Sequence, residues 1–347
     1  MISQVKLSRR NYVGGEDWRR DAIFIAISIA VIIATIIILI RSGLAGARYE
    51  APKHPLYLVL SELIYVTQLS LIGIRLSIIF NRGGMGYKIR STELIKVVTA
   101  QTFASLLMPG FYIGGEAVSI AYLTFKGLPT TRATEGITFR YTVDTITLTS
   151  IVLILYLFNL VIIPYIALII ALILLMAYAI LFITIVSARL GKYIEHMFRF
   201  INSRIKIIRN FILMNENEDY GLKLSLVDYF VLFLVSITQW LLSGLNVMLI
   251  FYSFGVHIGI ITGILISSSY TILTYISVLP GSAGIGGELA NLYVLNSLKL
   301  GNYYLAYDIW FRIITYIVPL IMLMPAFLSI SRKLTMINTN HRNPPSR

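Results

Sequence analysis

Two stretches of this chain, residues 93 to 126 and 258 to 299, are apolar enough to enter a membrane but are cut near their middles by proline and glycine. The cuts are copies of one another. Gly114-Gly115-Glu116 recurs as Gly286-Gly287-Glu288, preceded by Pro109-Gly110 in the first copy and by Pro280-Gly281 and Gly284 in the second. Each glutamate is followed 24 residues later by an arginine in a Phe-Arg pair, Phe139-Arg140 and Phe311-Arg312. Proline removes a backbone donor and glycine permits irregular dihedrals, so Met108 to Gly115 and Leu279 to Gly287 are expected to be unwound. At membrane depth such backbone survives only inside protein or against a wet cavity.

The surrounding sequence supplies the membrane. Hydrophobic residues make up 57% of the 347 and charged residues 13%, far from the balance of a soluble domain. Runs long enough to cross about 30 Å of hydrocarbon lie at Ala22 to Ile40, Leu56 to Phe80, Ile137 to Phe158, Pro164 to Val186, Asp228 to Tyr252 and Tyr304 to Ile330. The first is too long for a secretory signal and has no small-residue cleavage site, so it is expected to stay as a helix. The net charge of +13 does not call for nucleic acid, because its placement obeys a topological rule. With the N-terminus inside, 21 of the 29 Lys and Arg fall in inner segments and four in outer ones, leaving Arg75, Lys96, Arg140 and Arg312 in membrane elements. The expected location is the cell membrane, with both termini cytoplasmic. There are no cysteines, and the four histidines have no metal-ligand spacing, so no metal and no cofactor are expected.

Six full spans leave the two broken stretches as re-entrant helical hairpins, the first entering from the cytoplasm and the second from outside. The expected fold is therefore an all-α polytopic membrane protein built as an inverted repeat, a common transporter plan. Residues 1–55 hold the N-terminal segment and first helix, 56–158 the first half, 159–227 a link, 228–330 the second half and 331–347 a basic tail expected to be disordered. An offset of 172 also pairs Thr99 with Thr271 and Leu123 with Leu295. In the link, Leu190, Tyr193, Ile194, Met197, Phe198 and Ile201 recur at helical steps opposite basic residues, the pattern of an amphipathic helix over 189–213 at anionic headgroups. A regulatory partner-binding helix is the other reading of that segment.

Charges inside hydrocarbon need partners or water. Glu116 opens the returning arm of the first hairpin, Asp144 lies in the following helix, and Arg140 stands one turn from Asp144, so its side chain is expected to bridge both carboxylates. The second half repeats Glu288 and Arg312 but has Tyr316 at the place of Asp144. Two readings of these groups stay open. In one, each glutamate caps a helix beside its dipole and each arginine is its counterion. In the other, the arginines grip phosphate and the glycine-rich backbone donates N–H groups to the same anion. Arg75 either snorkels to the cytoplasmic surface near Arg82 or is buried near Gln68. Gln101, Asn246 and Asn291 suit inter-helix hydrogen bonds, and Tyr112 in the first break suits a cavity wall.

At MPGFYIGGEAVSIAYLTFKGLP, EGITFRYTVDTITL, LPGSAGIGGELANLYVL and the later Phe-Arg pair, the chain resembles the flippase-like family that includes the transmembrane half of lysylphosphatidylglycerol synthases. The resemblance covers roughly residues 56 to 330. It implies lipid-handling roles for Glu116, Arg140, Asp144, Glu288, Arg312 and Arg75. Phe139 stands where the family's ER-x-x-D type motif usually has an acidic residue. In full-length synthases a soluble aminoacyl-transfer domain follows, whereas here about 17 mostly polar residues follow the last expected span. The expectation is a form without that enzyme, and no interpretable catalytic motif or ATP-binding motif is present to replace it.

These readings converge on a translocase that moves an anionic phospholipid or lipid-linked headgroup between leaflets, with membrane lipids as its partners. Two other readings compete: a membrane-embedded enzyme or subunit acting on lipid or polyprenyl headgroups, and a non-transporting scaffold for a separate soluble synthase or transferase.

Overall fold

A computed structural model of the chain describes residues 50–84, 87–107, 113–157, 165–186, 222–274 and 285–342. The expected first helix at 22–40, the amphipathic segment 189–213, and Pro109, Gly110, Tyr112, Pro280, Gly281 and Gly284 of the two breaks lie outside the described residues. Every described element is helical: α1 Leu56–Arg82, α2 Ser91–Leu107, α3 Ile113–Phe125, α4 Thr130–Leu157, α5 Tyr165–Val186, α6 Leu226–Ser253, α7 Ile260–Thr274, α8 Ile285–Ser297, α9 Tyr304–Arg312 and α10 Val318–Arg342. Five of the described helical segments are long and apolar enough to cross a membrane: α1, α4, α5, α6 and the continuous run Gly301–Ser331 that joins α9 to α10.

The repeat is visible in helix boundaries. α3 and α8 are each 13 residues long and start on the Ile of Ile-Gly-Gly-Glu, 172 positions apart. At about 1.5 Å per residue each extends roughly 20 Å, less than the hydrocarbon thickness. α2 and α3 run antiparallel, since Gln101 accepts a hydrogen bond from Ser119 and, further along, Glu93 meets Lys126. Gly114, Gly115, Gly286 and Gly287 are helical, which corrects the expectation that they are unwound. In a first turn the backbone N–H groups lack intrahelical partners anyway. Gly115 has a packing reason as well, because a Cβ there would collide with Ser105 Oγ and the Gln101 carbonyl on α2.

α1 and α6, the equivalent helices of the two halves, pack along each other. Ser61 Oγ donates to the Asn246 carbonyl at 3.4 Å, and Asn246 Nδ2 donates to the Ser61 carbonyl at 2.9 Å. Each then receives the first short helix of its own half through a glycine: a Cβ on Gly73 of α1 would lie 2.8 Å from Ile95 Cα of α2, and one on Gly244 of α6 would lie 2.7 Å from Ile264 N of α7. Backbone atoms cannot yield to a side chain there. Gly73→Leu or Gly244→Leu is expected to cost about 1–3 kcal/mol through overpacking, read as a lower unfolding temperature in detergent; an unchanged temperature would contradict these contacts. The short helices also cross to the opposite half, with α2 against α10 and α7 against α4.

The ends of the two short-helix pairs lie at opposite ends of the bundle. The first pair opens where α1 finishes and α6 starts: Asn81 binds the Ile89 backbone, and Arg82 meets Asp228 at 2.9 Å. Asp228 also completes a capping box with Ser225, which fixes the start of α6. The second pair opens where α6 ends, near the Ser253 carbonyl that accepts from Lys53 and His54. The two largest apolar clusters among the described residues lie around Leu76, Ile79, Phe80 and Phe139 and around Phe251, Phe254, Tyr304 and Tyr307.

Two features depart from expectation in the last helices. α10 stays helical through Arg342, into the stretch expected to be disordered. Between α9 and α10, Ile313–Ile317 form a π turn, closed by the Val318 N–H bonding to the Ile313 carbonyl. Pro319 accounts for it: proline has no N–H to offer the Thr315 carbonyl, and its ring pushes that carbonyl away.

Candidate functional site: a cavity between the two halves

The Phe-Arg pairs work as levers. Phe139 is fully buried, with its ring 5.5 Å from Phe182 of α5 and 6.1 Å from Tyr229 of α6. Phe311 lies among Tyr307 and Tyr270, at 5.5 and 5.1 Å. Each phenylalanine anchors its helix in an apolar core, and the adjacent arginine reaches the interior of the bundle.

There a cavity of about 260 Å³ is lined by residues of both halves, including Arg140, Arg312, Gln68, Gln101, Asp144 and Gln239. Arg140 and Arg312 are 3% and 5% exposed. The Arg140 guanidinium carbon lies 3.9 Å from the Tyr141 ring centroid, and that of Arg312 lies 5.6 Å from Tyr270. Nε and one terminal nitrogen of Arg140 are buried without a hydrogen-bond partner among the described residues. The wall between the arginines is polar: Gln101 Nε2 donates to Tyr141 Oη at 2.6 Å, and Gln68 Nε2 donates to the Gln239 carbonyl at 3.4 Å.

The expected bridge from Arg140 to Asp144 is not what forms. Asp144 Oδ1 is taken by Arg75 Nη1 and by Ser236 Oγ, the latter at 2.7 Å, and the second terminal nitrogen of Arg75 donates to Gln239 Oε1. Arg75 is completely buried, so the snorkelling reading is also overturned. The reason is geometric: Arg75 sits on α1 where α4 and α6 converge, about two helical turns before Arg82 at the end of that helix, and two side chains of α6 complete its shell. One carboxylate is thereby tied into a network joining three helices.

Glu116 stays near Arg140. It is within hydrogen-bonding reach of Tyr141 and in the field of the Arg140 guanidinium, although it is not among the residues lining the cavity. Glu288 occupies the same position in the first turn of α8. The inter-helix role expected for three amides is met: Gln101 joins α2 to α3 and α4, Asn246 joins α6 to α1, and Asn291 joins α8 to α9.

Asp308 and Glu62 were missing from the sequence reading. Asp308 is 3% exposed and accepts from Asn291; both carboxylate oxygens of Glu62 are buried without a hydrogen-bond partner among the described residues. Both lie inside the expected spans Leu56 to Phe80 and Tyr304 to Ile330, where a carboxylate is itself the signal, but neither belongs to a copied motif. Ser236 and Gln239 carried no such signal, because a serine and a glutamine in a membrane helix have many bland uses.

No curated protein and no solved structure matches the chain significantly. The family model described as Lysylphosphatidylglycerol synthase TM region matches residues 22–322, which takes in both halves and every residue of the cavity wall. This chain belongs to the family of the lysylphosphatidylglycerol synthase TM region.

Proposed function

We propose that the protein is a lipid translocase in which Arg140 and Arg312 receive an anionic, phosphate-bearing headgroup on its way between leaflets. The observation that carries this reading is one cavity holding two nearly buried arginines, one from each half, with Arg140 short of hydrogen-bond partners among the described residues. A guanidinium in that position satisfies its donors best with a planar or tetrahedral oxyanion, bidentately. The volume of about 260 Å³ falls below the range of about 300–1,000 Å³ for drug-sized ligands. It suits a headgroup with its acyl chains left outside.

In this reading the chain has six spans, counting 22–40, and the two short-helix pairs are re-entrant hairpins entering from opposite faces. Lys126, Arg132, Lys333 and Arg82 share the end that opens the first pair, which makes that end cytoplasmic by the positive-inside rule. Both termini are then inside. Glu116 and Glu288 hold the arginines between substrates, and the Arg75–Asp144 network holds the cavity floor. The protein acts as a transporter, not an enzyme, and works on lipid made by a separate synthase or supplied by the membrane.

Reconstitution tests this directly. Vesicles containing the purified chain are expected to exchange a fluorescent anionic glycerophospholipid between leaflets much faster than protein-free vesicles do, with a diacylglycerol probe indifferent to the protein. Equal exchange of the anionic probe with and without protein would contradict the proposal.

A further inference from the structure

The second half carries a buried carboxyl at a position where the first half has glycine. Asp308 lies seven residues inside the span Gly301–Ser331, roughly 10 Å along the helix. Its counterpart 172 positions earlier is Gly136, and the counterpart of its partner Asn291 is Ser119. Asn291 Nδ2 donates to Asp308 Oδ1 over 3.3 Å, and among the described residues no ion pair reaches this carboxylate. Asn291 is 1% exposed, and its own Oδ1 has no hydrogen-bond partner among the described residues.

Among the described residues, few groups face Asp308. Its own helix supplies Tyr304 one turn before, Tyr307 beside it and Arg312 one turn after, the last in electrostatic reach. α6 contributes the apolar ring of Phe251 against Tyr307, α7 contributes Tyr270 near Arg312, and α8 contributes Asn291, with Glu288 one turn earlier in that helix. A carboxylate at membrane depth costs about 2.5–3.5 kcal/mol on insertion scales, and one long amide hydrogen bond offsets only part of that. A proton removes the charge altogether.

We propose that Asp308 is a proton-binding site whose occupancy sets the charge available at Arg312. With Asp308 ionised, part of the field of Arg312 is spent on its neighbour one turn away. With Asp308 protonated, Arg312 presents its full charge to the cavity. Anion binding at Arg312 and proton binding at Asp308 therefore favour each other, and by linkage the effect is reciprocal. Resting on the translocase reading, this makes the transported species an anionic headgroup together with a proton, so a pH gradient drives lipid movement. The first half, with glycine at the matching position, has no such control, and the two halves therefore differ in function.

The test uses the full chain in lipid nanodiscs and in proteoliposomes. The infrared spectrum of the wild type at neutral pH should contain a protonated-carboxyl C=O band that Asp308→Asn removes and Glu62→Gln leaves. A spectrum unchanged by Asp308→Asn overturns the proposal whatever the protein transports. In proteoliposomes, an imposed pH gradient should accelerate exchange of a short-chain phosphatidic acid about tenfold, the middle of the usual range of coupling. Asp308→Asn should exchange it at a gradient-independent rate, and Asp308→Glu should recover the gradient response. A wild type indifferent to the gradient overturns the coupling. A protein that shows the Asp308 band and moves no anionic lipid overturns the translocase reading and leaves the proton site standing.

Discussion

Arg75→Ala or Asp144→Ala is expected to lower stability by about 3–5 kcal/mol, because each removes one side of a buried pair and leaves the other charge uncompensated. The Arg75 side chain is 1% exposed, so no water replaces its partner in Asp144→Ala; Asp144, 16% exposed and in the cavity wall, puts Arg75→Ala at the lower end of that range. The loss spreads beyond the pair. Ser236 binds both residues and Gln239 binds Arg75, and the network is where α1, α4 and α6 meet. Replacing both charges together, Arg75→Met with Asp144→Leu, should recover much of the stability, since a well-packed apolar pair often matches a buried ion pair. Denaturant or thermal unfolding of the purified variants checks this; single variants within about 1 kcal/mol of wild type would show that the pair is not held in a dry interior.

The second large effect concerns transport. Arg140→Ala and Arg312→Ala should each slow leaflet exchange of an anionic lipid by at least about a hundredfold, taking about 1.5–3 kcal/mol for each of the two hydrogen bonds of a bidentate grip. Lysine at either position keeps the charge but not the fork, and is expected to fall between. Folding should suffer less than in the Arg75 variants, because among the described residues Arg140 has two guanidinium nitrogens without a hydrogen-bond partner and stacks on Tyr141. The readout is exchange rate normalised to folded protein, so a stability defect and a binding defect separate.

Much of this arrangement was legible in the sequence, and the physical reason is that hydrocarbon leaves few options. Apolar length located α1, α5 and α6 to within a few residues but missed the polar first two turns of α4, and the copied Gly-Gly-Glu set α3 and α8 in register. The matched Phe-Arg pairs gave both cavity arginines. What was not legible depended on partners brought from other helices. Asp144 lies one turn from Arg140 in sequence, and local spacing suggested that pair; the actual partner, Arg75, is 69 positions away on a helix whose approach no local rule predicts. Pro319 was in plain view, but its consequence, a π turn directly after Arg312, needs the surrounding helix to be continuous, and a proline more often ends one. Asp308 escaped because attention went to the carboxylates beside the copied Gly-Gly-Glu and Phe-Arg motifs, and its own counterpart in the first half is Gly136.

The central claim is that a lipid phosphate sits between arginines supplied by the two halves. Solid-state magnetic resonance of the chain in anionic-lipid bilayers, recording dephasing between lipid phosphorus and arginine guanidinium nitrogen, measures that contact. The account predicts dephasing in the wild type that falls in Arg140→Ala and in Arg312→Ala, and falls furthest when both are replaced, leaving the part due to arginines at the membrane surface. Dephasing that is absent in the wild type, or unchanged by both substitutions, would contradict it.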